Sequence, residues 1–165
     1  MVSIVASNPK AVMELLDQIP DPEIPVVSIR EMGILRDVQI HERTCTVTIT
    51  PTYTACPAMG SIADDIKALL KSHGFSKVIV NTVLSPAWTT DWMSESTRQK
   101  LRSFGIAPPA HKACDQWTTE LTRINCPRCG SNNTSVISKF GSTACKSLMR
   151  CEECKEPFDY FKCHH

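Results

Sequence analysis

Two Cys-x-x-Cys pairs stand near the end of the chain. They are Cys126-Pro127-Arg128-Cys129, followed by Gly130, and Cys151-Glu152-Glu153-Cys154, with 21 residues between Cys129 and Cys151. A two-residue gap lets both sulfurs of a tight turn point at one ion, and two such pairs together read as a metal site. Pro127 stiffens the first turn, and Gly130 can supply the positive φ that swings backbone N–H groups toward the sulfurs. The chemistry expected is a closed tetrathiolate holding a structural Zn2+ at Cys126, Cys129, Cys151 and Cys154. Four thiolates also suit iron or an iron–sulfur cluster, and the colour of anaerobically purified protein separates these readings. Cys145 and Cys163 lie close in sequence. Packing is the simpler role for both, with replacement of a knuckle cysteine as the alternative.

Cys56 is the other sulfur of interest. It precedes Pro57, which suits the first position of the helix that follows. Cys56 is then expected at the N-cap, near unpaired N–H groups and the positive end of the helix dipole, where a thiol pKa is lowered. Such a thiolate can bind iron or a cluster transiently, transfer sulfur or act as a nucleophile. The alternative is a small cap residue behind a loop. A nucleophilic enzyme needs a base. His41 and His73 fall at a turn and a helix end, where a histidine is usually a surface residue, and nothing local pairs either with Cys56. Asp21, Glu23 and Asp91 sit in stiff loops and bear on Cys56 only if the fold brings them to it. Trp88 and Trp92 either wall such a site or cover the open side of a sheet.

The elements that position these residues follow from periodicity. Asn8-Pro9 starts a helix carrying Val12, Leu15, Leu16 and Ile19 on one stripe. Residues 20–25 hold three prolines and read as a stiff extended connection. Ile34 to Ile40 reads as a strand. From Cys45 to Thr50 apolar and threonine residues alternate, as in a half-buried antiparallel strand, which makes Cys45 a core residue. Met59, Ile62, Ile66 and Leu70 mark an amphipathic helix closing at Gly74, and Lys77 to Leu84 is a valine-rich strand. A short helix capped by Ser94 ends at Gly105. Ser135 to Phe140 and Ala144 to Arg150 form a hairpin, and the aromatic tail from Pro157 to Cys163 packs on it. The fold class is therefore α+β: a small α-β-β-α-β domain with a mixed sheet over residues 1–105, a linker at 106–125 containing His111 and Cys114, and a short β zinc-ribbon domain over 126–165. So small a ribbon depends on its metal for stability.

Composition narrows the function. A formal charge of +1 gives no global attraction for nucleic acid or membranes. From Cys126 onward six Lys or Arg face four Asp or Glu, and a tetrathiolate around a divalent ion cancels the excess. The ribbon is thus a poor phosphate binder and a better protein-docking or structural element. With no signal peptide and no spanning apolar run, and with an odd number of cysteines in thiolate-type spacing, a reducing cytoplasmic setting is expected. His164-His165 has the look of a purification-tag remnant. There is no phosphate loop and no dinucleotide fingerprint. The Glu-x-x-His element of bundle-type di-iron centres is also missing. The chain is expected to be no enzyme by itself.

Asp21-Pro22-Glu23-Ile24-Pro25-Val26, the stretch from Thr50 to Pro57, and Pro86-Ala87-Trp88 resemble the small domain of SufT-like iron–sulfur assembly proteins. Adding Thr89-Thr90-Asp91-Trp92, the two Cys-x-x-Cys pairs, Phe140-Gly141-Ser142-Thr143-Ala144-Cys145 and the Pro157–Cys163 ending, the whole chain is similar to the PaaD family. Ala55 stands where the wider family tends to have glycine. The resemblance implies an accessory role in aerobic phenylacetate catabolism. It implies maturation of the di-iron or [2Fe–2S] centre of the multicomponent phenylacetyl-CoA epoxidase, with the epoxidase subunits or its [2Fe–2S] reductase as partners. Cys56 is then the working thiolate, with Asp21, Glu23 and Trp88 around it. The alternatives are a structural subunit that acts by binding alone and, more weakly, a thiol enzyme.

Overall fold

The structure is a computed structural model that describes residues 8–109 and 124–162. The chain forms two compact units, Met1–Trp88 and Thr89–His165. Cys114, His111 and Cys163 lie outside the described residues.

The first unit opens with α1 (Pro9–Leu16). The Asn8 side chain accepts from the Lys10 N–H at 3.0 Å, and proline fills the first turn, as the sequence leads one to expect. β1 (Leu35–His41) pairs antiparallel with β2 (Thr44–Ile49), and β2 pairs parallel with β3 (Lys77–Thr82). The parallel pairing needs a crossover, supplied by α2 (Ala58–Ser72), which packs on β3 while α1 packs on β1. Cys45, Val47 and Ile49 alternate into the core and are fully buried, with Ile62, Ile66 and Leu70 of α2 equally enclosed. The mixed sheet is the expected one, and β3 ends two residues short of Leu84, which is exposed.

The three-proline connection is more compact than an extended reading suggests. Pro20 bridges to Ser28, and the Asp21 carboxylate gathers the N–H groups of Glu23 and Ile24 at 2.8 and 2.9 Å. One buried acceptor thus folds the loop back on itself.

In the second unit a short 3-10 turn, Thr90–Trp92, precedes α3 (Glu95–Phe104). Ser94 caps α3 through the Thr97 N–H, and Gly105 ends it at φ 91°. Arg98, on α3, is almost fully buried, and its guanidinium donates to the carbonyls of Thr90 and Pro109. A four-stranded sheet follows in the order β4 (Ile106–Ala107), β7 (Pro157–Phe161), β6 (Lys146–Cys151), β5 (Thr134–Ser138). β5 and β6 are the expected hairpin. The aromatic tail does more than pack on it: Phe158 and Tyr160 enter the core from a third full strand, β7. Ile106 and Ala107, in the stretch expected to link two domains, pair parallel with Asp159 and Tyr160, and both are buried.

Candidate functional site

The four paired cysteines converge. The Sγ atoms of Cys126, Cys129, Cys151 and Cys154 all lie within 4.8 Å of one another, with Cys126 to Cys154 at 3.8 Å and Cys129 to Cys151 at 3.5 Å. A zinc ion bonded to four sulfurs at about 2.3 Å spaces those sulfurs about 3.8 Å apart. The donor set fits one tetrahedral ion. A cluster, with several irons between its ligands, needs its sulfurs further apart than this.

Two matched turns build the site. In the first, the Cys126 N–H bonds the Ser131 carbonyl at 2.8 Å, the Gly130 N–H bonds the Cys126 carbonyl at 2.9 Å, and Gly130 has φ 77°. In the second, the Cys151 N–H bonds the Glu156 carbonyl at 3.0 Å, and Lys155 takes the equivalent left-handed position at φ 63°. Lysine there hides the second turn from a search for glycine; the sign was its place four residues after Cys151, matching Gly130 after Cys126. The turns also aim N–H groups at sulfur. Those of Cys154 and Glu153 face the Cys151 thiol, and chiefly the first holds it down to about 7. The Cys154 sulfur accepts from the Glu156 N–H, but desolvation and its three neighbouring sulfurs push it up to about 12. Four negative sulfurs cannot share so small a space unless a cation joins them. Cys126 and Cys151 are buried while Cys129 is open to solvent.

Cys145 stands outside this group. It is buried, with its sulfur 3.0 Å from the Thr143 hydroxyl. Its place is packing in the turn that leads into β6.

Cys56 differs from expectation in two respects. The helix begins at Ala58 with Pro57 at the N-cap, so Cys56 sits one residue outside it, in a turn where its N–H bonds the Tyr53 carbonyl at 3.1 Å. Its thiol pKa is raised, not lowered. Burial is the largest cause; the Ala58 N–H pulls the other way, the Glu23 and Asp21 charges raise it further, and the Thr52 hydroxyl lowers it. The helix end does offer a hydrogen bond to sulfur, but desolvation and two carboxylates outweigh it. The fold therefore brings Asp21 and Glu23 into the electrostatic range of Cys56, which no sequence pattern could establish. Cys56 is half-buried, so the sulfur is not sealed inside the core.

The two carboxylates differ in burial. Asp21 is only 6% exposed and its Oδ1 is committed to the loop N–H groups, so it shapes the turn. Glu23 is half-buried beside it. Trp88 is a core residue, 2% exposed, whose Nε1 donates to the Met32 carbonyl at 2.8 Å. His73 caps the far end of α2, with Nδ1 2.8 Å from the Leu69 carbonyl. Fifteen helical residues, about 22 Å, separate that end from Cys56. His41 lies at the end of β1 paired with Thr44, opposite the end of β2 from which the chain runs on to Cys56. Neither histidine serves as a base for this thiol.

Residues 9–81 match the iron–sulfur cluster assembly protein family, and residues 110–162 match the PaaD zinc beta ribbon domain. An Fe-S protein maturation auxiliary factor of Porphyromonas gingivalis is 32% identical over 92 residues, covering 54% of this chain and 87% of that protein. The crystal structure of a DUF59 domain from Bacillus anthracis superposes with a TM-score of 0.53 at 29% identity, covering 56% of this chain and 90% of the other. An Escherichia coli K12 protein, provisionally named as one of the subunits of 1,2-phenylacetyl-CoA epoxidase, is 45% identical over 163 residues, covering 99% of this chain and 98% of that one. With an iron–sulfur assembly domain, a four-cysteine ribbon and likeness along its full length to that epoxidase component, the chain belongs to the PaaD family.

Proposed function

We propose that this protein is a non-catalytic maturation factor for the metal centres of a phenylacetyl-CoA 1,2-epoxidase, acting in the cytoplasm as two modules. The carrying observation is the union in one chain of an iron–sulfur assembly domain and a ribbon whose four sulfurs already stand at the spacing of a single zinc ion. The ribbon holds Zn2+ permanently and docks a client, either the di-iron subunit or the [2Fe–2S] reductase. Zinc there supplies cross-linking and charge neutralisation, with no redox role.

The first module handles the cargo, iron or a cluster in transit. Its half-buried Cys56 is kept protonated at neutral pH by burial and by the Glu23 and Asp21 charges. A metal cation displaces that proton on binding and gains the same carboxylate field that opposes the bare thiolate. In this reading Glu23 assists, while Asp21, which accepts from the loop N–H groups, fixes the loop. A protonated resting thiol suits a carrier that releases its cargo. Among the described residues no helix is long and apolar enough to cross a membrane.

The test is reconstitution of the epoxidase in cells or extract with wild type or Cys56→Ser. The variant is expected to leave client iron content and epoxidation well below wild type while remaining folded and zinc-loaded. Full loading and activity with Cys56→Ser defeats this role for Cys56. That result, together with stoichiometric co-purification, favours a structural subunit that acts by binding alone.

A further inference from the structure

Among the described residues, β5 forms an open edge of the ribbon sheet: its inner side pairs with β6 and its outer side carries no strand. Edges of soluble proteins are usually blunted by charge, proline or a bulge, because unpaired N–H and carbonyl groups recruit another strand. The segment Thr134-Ser135-Val136-Ile137-Ser138 carries no charge and no proline, and its one irregularity, at Ile137, leaves an apolar side chain exposed. Its centre is apolar and exposed, with Val136 at 40% and Ile137 at 53%, and Phe140 just beyond it at 62%. The register irregularity between Val136 and Ser138 leaves Ile137 without a partner in β6.

We propose that this edge is a self-association surface whose occupant is the β5 edge of a second copy, paired antiparallel about a two-fold axis. Charge selects that occupant. At one end of the strand stands exposed Lys139. At the other stands exposed Glu153, whose carboxylate accepts from Asn133 at 3.1 Å. Glu152, beside it, accepts from Ser135 and lies 3.6 Å from the Lys155 ammonium, so Glu153 is the carboxylate offered across the seam. Antiparallel pairing centred on Val136 sets Lys139 of each copy opposite Asn133 of the other, whose side chain holds Glu153. An apolar strand flanked by a lysine at one end and by a carboxylate from the neighbouring turn at the other complements itself when reversed.

The surface is small beside the roughly 800 Å2 per partner of a standard interface, so the dimer is a weak one. Zinc-loaded full-length protein is examined by sedimentation equilibrium up to about 200 µM, a range in which micromolar association is visible. Wild type is expected to show a monomer–dimer equilibrium. Ile137→Asp and Lys139→Glu are each expected to weaken it about tenfold or more with zinc content unchanged. The exchanged pair Lys139→Glu with Glu153→Lys is expected to recover most of the loss. A strict monomer throughout that range overturns the proposal. So does a dimer indifferent to Ile137→Asp, or one that the charge exchange fails to restore.

Discussion

Gly141 and Asp159 face each other so closely that a Cβ on Gly141 would lie 2.7 Å from the Asp159 Oδ1. The carboxylate cannot easily move away. Its Oδ2 lies 3.3 Å from the Nζ of Lys146, a side chain only 6% exposed, and accepts from the Ser142 hydroxyl at 3.2 Å. The glycine therefore makes room for a counter-ion that lets a lysine be buried in β6.

Gly141→Ala is expected to destabilise the ribbon by about 1–3 kcal/mol, the usual cost of overpacking. Asp159→Asn strands the Lys146 ammonium and is expected to cost about 3 kcal/mol. In an Asp159→Ala background most of the Gly141→Ala penalty should vanish, because the clash is gone. Denaturant unfolding of the zinc-loaded protein measures all three. A Gly141→Ala penalty that is unchanged in that background refutes this coupling.

Removal of zinc is expected to affect the two units unequally. The ribbon core around Cys126, Met149, Cys151, Phe158 and Tyr160 includes two of the four ligands, so loss of the ion opens the core itself. A strong chelator, or Cys126→Ser, should abolish protection of β5, β6 and β7 amides against hydrogen exchange. The amides of β2 and α2, in the other unit, should keep theirs. One equivalent of zinc should be released per chain as four thiols become titratable. Equal loss of protection in both units argues against independent folding.

Cys45 makes the first unit sensitive to alkali. Burial raises its thiol from 9.0 to about 11. Below pH 9 it is protonated whether the chain is folded or not. Above pH 9 the unfolded chain ionises while the folded one resists, so stability falls through the window between about 9 and 11 and then levels. Two pH units correspond to about 2–3 kcal/mol. Cys45→Ala, which costs about 1 kcal/mol at neutral pH for lost packing, should lack this portion of the alkaline slope. Urea unfolding followed by the helical signal, wild type against variant from pH 8 to 11, isolates the difference. Parallel profiles would place the alkaline sensitivity elsewhere.

How far the sequence spoke depended on whether the signal was local. The core stripe of α2, the alternation of β2 and the sulfur knuckles each depend on residues two to four apart, and each is seen where it was expected. β7 was harder to see. Its aromatics announced burial, but strand pairing with Lys146–Arg150 is a relation across the chain. β4 is two residues long and has no period to detect. For Cys56 the local rule, a thiol at a helix N-terminus, predicted the wrong direction. The deciding influences are burial and two carboxylates more than thirty positions earlier, which only the fold brings near.

That balance around Cys56 is open to direct measurement, because each influence has its own side chain. Alkylation follows the thiolate fraction, so with the thiol pKa raised the rate should still be climbing above pH 9, the ordinary midpoint for a free thiol. Glu23→Gln removes a charge that disfavours the thiolate and should speed alkylation at pH 8 about two- to fivefold. Thr52→Val removes a hydroxyl that favours the thiolate and should slow it. Asp21→Asn is a poorer probe, because that carboxylate also holds the N–H groups of Glu23 and Ile24, and its loss should loosen the loop. The opposite signs of the Glu23 and Thr52 effects are the informative outcome. Loss of structure would change accessibility in one direction for both, whereas electrostatic control of a half-buried sulfur must move them apart. A Cys56 alkylation rate that levels below pH 9 and ignores Glu23→Gln would mean that the sulfur does not feel the carboxylate, and Glu23 would lose its place beside the cargo.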